Sequence, residues 1–310
     1  MEIVRYTAPF DYEKVLSVIE ETFGKSEAML ELPQMNGAEA ENNIDWIYVA
    51  TEGDTFLGTV HATIPKKEPR ICGVSGVCTS PQARGKGVAK ALFGKMMEDI
   101  DAAGVQVSLL GTGNPIAAKL YASFGFSYLV CSGVMIRLRN CDIVDYTRKA
   151  YAVQPQRFEI VEGSADFRIP IIPLILHQGG QLLLDCNTNI LGRGMFSQSC
   201  CMSLFQRYLT LREKGGQFFG AVDDTGLLGA IASVMPTESG LRADFFCAKP
   251  FASATPELLK RCEEVGPVYL QLFEGDKEKR AIAEELGYHA EETVDYFYGC
   301  CRFSTVIYRK

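Results

Sequence analysis

Apolar and polar positions along this chain alternate, change period, and alternate again. EIVRYT (2–7) has a period of two and predicts a strand. PFDYEKVLSVIEETFG (9–24) spaces Tyr12, Val15, Leu16, Ile19 and Phe23 along one helix face, with Pro9 suited to a first turn and Gly24 to a C-cap. After a mixed region, IDWIYVATE and TFLGTVHATIP are separated by GD and followed by PRICGVSGVCT, which predicts a meander of three antiparallel strands. Helical spacing returns from Arg84 to Ala103, with Ala91, Leu92, Met96 and Ile100 on one face. VQVSLLGT (105–112) reads as a short strand buried on both sides. NPIAAKLYASFGF reads as a helix capped by Asn114, opened by Pro115 and ended by Gly125, and FSYLVCSGVMIRL as a last strand.

The second half repeats part of this pattern. WIYVATEGDTFLGTVHATI (46–64) aligns without a gap to QFFGAVDDTGLLGAIASVM (217–235), sharing Ala50 with Ala221 and Leu57-Gly58 with Leu228-Gly229. GDKEKRAIAEELGYHAE (275–291) echoes GNPIAAKLYASFGFSYL, with Asp276 where Asn114 is, Ala283 where Tyr121 is, and Gly287 where Gly125 is. Between them NCDIVDYTRKAYAVQPQ loses periodicity and carries Pro155, the mark of a connector, so a boundary is expected near 145: residues 1–145 and 146–310. Helical stretches are expected in SADFRIPIIPLIL and SCCMSLFQRYLTLREKGG, and the GRG at 192–194 reads as a turn.

Length agrees with two units, since 310 residues exceed the usual single domain of about 100–200. A hydrophobic fraction of 47% and a charged fraction of 22% are those of a chain that folds throughout. A net charge of −7 gives no general attraction for nucleic acid or anionic membrane. The N-terminus lacks the pattern of a secretory signal, and the longest nearly apolar run, Ile169 to Leu176, is far short of the ~20 residues of a membrane span, so a cytoplasmic protein is expected. Eleven cysteines without a C-x-x-C pair, and three scattered histidines, read as small buried residues in a reducing compartment and as no metal site.

The chemistry concentrates in VCTSPQARGKGVAKAL (77–92), where a strand hands over to a helix through Arg84-Gly85-Lys86-Gly87. Glycines without a Cβ let a ligand approach the main chain. The helix start then offers unpaired N–H donors and a positive dipole end, and Arg84, Lys86 and Lys90 add charge, so the turn suits a pyrophosphate. The spacing differs from the dinucleotide fingerprint G-x-G-x-x-G and lacks the G-K-[ST] of a P-loop.

Together, VCTSPQARGKGVAKALF (77–93) and GNPIAAKLYASFGFSYL (113–129) resemble the GNAT superfamily of acetyl-CoA-dependent N-acetyltransferases. The resemblance implies an α/β (α+β) fold of two GNAT-like domains. Each would be a mixed, mostly antiparallel twisted sheet flanked by helices, with splayed fourth and fifth strands in the first. In that family the end of the fourth strand, here Val77, Cys78 and Thr79, pairs with the pantetheine arm; Thr79 stands where valine is more common. The family's [QR]-x-x-G-x-[GA] loop matches Arg84, Gly85, Lys86, Gly87, Val88 and Ala89, whose amides would hold the CoA pyrophosphate with help from Lys90. Asn114 and Tyr121 match the second motif and lie about two helical turns apart. A phenol of ordinary pKa ~10 can protonate a leaving thiolate, which makes Tyr121 the general-acid candidate.

The general base is open. Several relatives use a glutamate on the fourth strand, but RICGVSGVCT contains no acid. A water held by Ser75, His61 on the preceding strand, and the C-terminal carboxylate at Lys310, a device of some tandem relatives, are the candidates. The second half lacks the phosphate loop and the tyrosine and reads as a degenerate copy with an acceptor-pocket or a structural role. The expected activity is acetyl transfer to a primary amine of a small molecule or peptide by direct attack, with no metal. The alternative is a CoA-binding sensor or scaffold without turnover.

Overall fold

Along Thr55–Pro65 every second side chain turns to the same side of the sheet. Val60, Ala62 and Ile64 join one apolar cluster, while His61 and Thr63 between them face the other way into polar contacts. That alternation gives the first sheet two covered faces. The protein is described by a computed structural model over residues 1–129, 133–149, 151–152, 155, 157–176, 183–192 and 201–310. The described residues form two units: Met1–Leu129 with Gly133–Asp142 and the short piece 201–203, and the rest from Ile143 to Lys310.

The first unit runs β1 (Glu2–Thr7), α1 (Glu13–Phe23), α2 (Lys25–Met35), β2 (Asn43–Glu52), β3 (Thr55–Pro65), β4 (Ile71–Thr79), α3 (Val88–Ala102), β5 (Val107–Gly111), α4 (Pro115–Ala122), β6 (Ser127–Tyr128) and β7 (Val134–Leu138). Its sheet has the order β1-β2-β3-β4-β5-β7-β6, antiparallel throughout except for the β4–β5 pair. Phe93, Met96 and Ile100 of α3 and Tyr121 of α4 close one face; Val15, Val18 and Ile19 of α1 with Ala28 and Met35 of α2 close the other.

The second unit runs α5 (Ile143–Lys149), β8 (Phe158–Glu162), α6 (Ile171–Leu176), β9 (Leu183–Asp185), β10 (Ile190–Gly192), α7 (Ser203–Glu213), β11 (Gln217–Asp223), β12 (Leu228–Thr237), β13 (Gly240–Cys247), α8 (Thr255–Glu263), β14 (Val268–Phe273), α9 (Lys277–Glu285), β15 (His289–Tyr298) and β16 (Cys301–Arg309). Its sheet, β8-β11-β12-β13-β14-β16-β15, repeats the first strand for strand, again with one parallel pair at β13–β14. The register shift after Ala50 in the β2–β3 pair recurs after Ala221 in the β11–β12 pair, the two alanines that the internal repeat aligns. Two mixed, mostly antiparallel sheets flanked by helices are the expected fold class.

Some elements differ from the sequence reading. α1 begins at Glu13 rather than near Pro9, and the mixed region contains all of α2, with Pro33 inside it. α3 starts at Val88, not Arg84, because Gly87 adopts a left-handed conformation that ends the loop. The last strand of the first half is two strands, with Ser127 and Tyr128 paired to Ile136 and Met135. SADFRIPIIPLIL holds a 3-10 turn, Ala165–Phe167, and the short α6. Cys141, Cys300 and Cys301 are exposed rather than buried. His177 and the last two residues of GRG lie outside the described residues.

Candidate active site

In a parallel pair, each strand satisfies half of its neighbour's edge, so a strand that leaves its partner exposes main-chain groups. β4 pairs with β5 only from Ile71 to Gly73, against Val107 to Leu109. From Val74 onward β4 runs alongside β3 alone, and the sheet is splayed at Val77, Cys78 and Thr79. Gly76, at φ +57, is the extra residue of a bulge that shifts the β3–β4 register between Thr59 and His61. The His61 ring lies against it: a Cβ on Gly76 would stand 2.7 Å from His61 Nδ1.

Past Thr79, a 3-10 turn at Pro81–Ala83 leads into the glycine loop. Gly85 and Gly87 have φ of +76 and +79, a region that suits glycine, and no atom lies within 4 Å of where their Cβ would be. The loop is open on the side a ligand would use. The first intrahelical bond that reaches back into the loop is Ala91 N to Gly87 O at 3.0 Å, so the amides of Val88, Ala89 and Lys90 precede the helix's own ladder. Arg84, Lys86 and Lys90 are exposed around them, and Arg84 Nε donates to Thr79 O at 3.4 Å, bracing the loop on the strand end. This set of donors and cations fits a pyrophosphate.

Asn114 caps α4: its Oδ1 accepts from Ile116 N at 2.9 Å and Ala117 N at 3.4 Å, while Thr112 Oγ1 accepts from its own amide at 3.0 Å. Asn114 is exposed. Tyr121, on the same helix, is buried, with ring centroids 5.1 Å from Phe93 and 6.4 Å from Phe126. The Cys78 thiol faces the α1–α2 side, where burial pushes it up to about 12.

An acid absent from β4 arrives from another element. Glu31 of α2 lays its Oε2 3.0 Å from His61 Nδ1 and accepts from Ser75 Oγ at 2.7 Å. Gln34, one turn along α2, donates to Thr63 Oγ1 at 2.8 Å, and Thr63 donates to Asp45 Oδ1 at 2.7 Å. Two of the base candidates, Ser75 and His61, thus meet on a residue that strand periodicity gave no reason to choose. The signal was present in KSEAMLELPQM, whose Ala, Met, Leu and Glu favour a helix. The third candidate, Lys310, lies in the second unit, where its Nζ meets Glu263 Oε1 at 2.5 Å.

The second sheet also splays, which the sequence reading expected only of the first: β13 pairs with β14 only over Leu241 to Ala243. Here the opening is filled. The β9–β10 hairpin sends Cys186 N to Asp244 Oδ2 at 2.8 Å and the Leu184 carbonyl to Lys279 Nζ at 3.2 Å, and Arg242 donates to Cys186 O and to Asn187 Oδ1. The loop after β13 is a 3-10 segment, Lys249–Ala254, without glycine. Asp276 caps α9 as Asn114 caps α4, but Ala283 replaces the tyrosine.

Residues 3–129 match the family model of the acetyltransferase (GNAT) domain. The match runs from β1 through β6 of the first unit. Solved structures resembling parts of the chain include an acetyltransferase from Bacillus subtilis in complex with CoA (16% identity, 42% of this chain and 79% of that one, TM-score 0.33). A second is the PaiA N-acetyltransferase of Thermoplasma acidophilum in complex with coenzyme A (13% identity, 45% and 100%, TM-score 0.36). A third is the ribosomal-protein-S18-alanine N-acetyltransferase of Escherichia coli (11% identity, 46% and 96%, TM-score 0.36). No curated protein matches the chain. Among the described residues of either unit, no helix is long and apolar enough to cross a membrane, and no three His, Cys, Asp or Glu are grouped to hold a metal.

Proposed function

We propose that residues 1–145 catalyse transfer of the acetyl group of acetyl-CoA to a primary amine, and that residues 146–310 are a diverged copy of the domain that takes no CoA. The observation that carries this reading is the open amide cradle at 84–90, set at the end of a strand whose outer edge has left its neighbour. The amides of Gly85, Gly87, Val88 and Ala89, with Arg84, Lys86 and Lys90, would take the pyrophosphate. The free edge of Val77, Cys78 and Thr79 would pair with pantetheine amides, and the Nδ2 of Asn114 is the remaining donor at the start of α4.

The amine nitrogen attacks the thioester carbonyl, the C–S bond breaks, and the Tyr121 hydroxyl protonates the thiolate. Direct attack of this kind needs no acyl-enzyme. The second reading, a CoA sensor, draws on the packing of Tyr121 in an aromatic cluster that would hold a purely structural tyrosine equally well.

A mass-spectrometric screen of polyamines, aminoglycosides, amino acids and peptide N-termini with acetyl-CoA tests the proposal. The expected result is an acetylated amine and free CoA. CoA binding without any acetylated product would favour the sensor.

A further inference from the structure

Resting on the acetyltransferase reading, we infer that Glu31, held against His61, is the proton acceptor that strips the attacking amine. A base for this reaction must sit beside the splayed part of β4, within reach of the attacking amine. Ser75 lies two residues beyond the last β4–β5 pair, and His61 packs on the bulge at Gly76. Both side chains converge on one carboxylate oxygen, at 2.7 and 3.0 Å. The Glu31 side chain keeps 15% of its surface exposed while that of His61 keeps 1%, so of the two partners Glu31 is the one that meets solvent.

Among the described residues His61 Nε2 is buried without a hydrogen-bond partner, an arrangement that is costly in a side chain kept only for packing. Groups facing Glu31 and His61 include Ser75 and the Cys78 thiol from β4, Gln34 from α2 and, through Thr63, Asp45 from β2. In the proposed step the ammonium formed by attack gives its proton to the Glu31 carboxylate, which passes it on to solvent. The same carboxylate favours a cationic acceptor, so amines carried as ammonium ions are the substrate class.

The test measures kcat/KM against pH with acetyl-CoA and a panel of spermidine, kanamycin and an alanine tripeptide, together with CoA affinity by calorimetry. In the wild type, kcat/KM rises with pH through an acid limb as the carboxylate that accepts the amine's proton becomes ionised. Glu31→Gln, which can still accept from Ser75, should lower turnover by about 10²–10⁴-fold, abolish that limb and leave CoA affinity within about twofold. If the Gln variant does not fold, Glu31→Ala carries the test, with the same loss of turnover and of the acid limb expected. An acid limb unmoved in either folded variant overturns the assignment while leaving the acetyltransferase reading intact. A wild type that binds CoA yet acetylates no amine overturns both.

Discussion

Lys279 Nζ meets Asp244 Oδ1 at 2.5 Å, both side chains buried, just beyond the last residue that β13 shares with β14. Burial pulls the ammonium toward neutrality, but Asp244, Asp276 and Asp185 outweigh it and hold Lys279 charged, its pKa raised above the ordinary lysine value. Asp244 is further fixed by the amides of Cys186 and Phe245 at 2.8 and 2.7 Å. Removing one partner of such a pair leaves an uncompensated buried charge. Lys279→Met should therefore cost about 3–5 kcal/mol in urea denaturation. Adding Asp244→Leu should recover much of that loss, and a single variant as stable as the wild type would show that the pair is not buried in solution.

The same plug bears on stoichiometry. The β9–β10 hairpin holds the place that is open in the first unit, and no glycine loop follows β13. Calorimetric titration with CoA should saturate at about one equivalent per chain. Two equivalents would mean that the hairpin yields to the ligand.

At the phosphate loop, Gly85→Glu should abolish CoA binding, because it sets a carboxylate among donors arranged for an anion and places a side chain at φ +76. Ala252→Glu, in the corresponding exposed segment of the second unit, should leave affinity unchanged. Undiminished binding in the Gly85 variant would move the pyrophosphate elsewhere.

Tyr121→Phe keeps the ring's contacts with Phe93 and Phe126 and removes only the hydroxyl. If the phenol protonates the leaving thiolate, turnover falls by about 10²–10⁴-fold while CoA affinity barely changes. A structural tyrosine would instead lose about 1 kcal/mol of stability with turnover near wild type. Paired turnover and affinity measurements on one preparation separate the two.

Gly76→Ala tests the bulge. The new Cβ would enter at 2.7 Å from His61 Nδ1 on a backbone at φ +57, so the ring must move or the bulge must flatten. A stability loss of about 1–3 kcal/mol is expected in thermal or urea unfolding. A wild-type melting curve would place the His61 ring elsewhere.

What the sequence alone determined is local. The loop at 84–87 and the caps at Asn114 and Asp276 depend on main-chain conformation within a few residues, where glycine, proline and short polar side chains have few alternatives. The meander of β2, β3 and β4 was legible for the same reason: period-two alternation and a tight turn act over neighbours. Glu31 was not legible. Its partners His61 and Ser75 lie 30 and 44 residues away, and only the packing of α2 across β3 and β4 brings a helix residue to a place where the strand itself has no acid. The splay of β13 from β14 and the hairpin that fills it were likewise decided by tertiary structure. Lys279 and Asp244 are 35 residues apart, and nothing near either one requires a partner until folding removes the water from both.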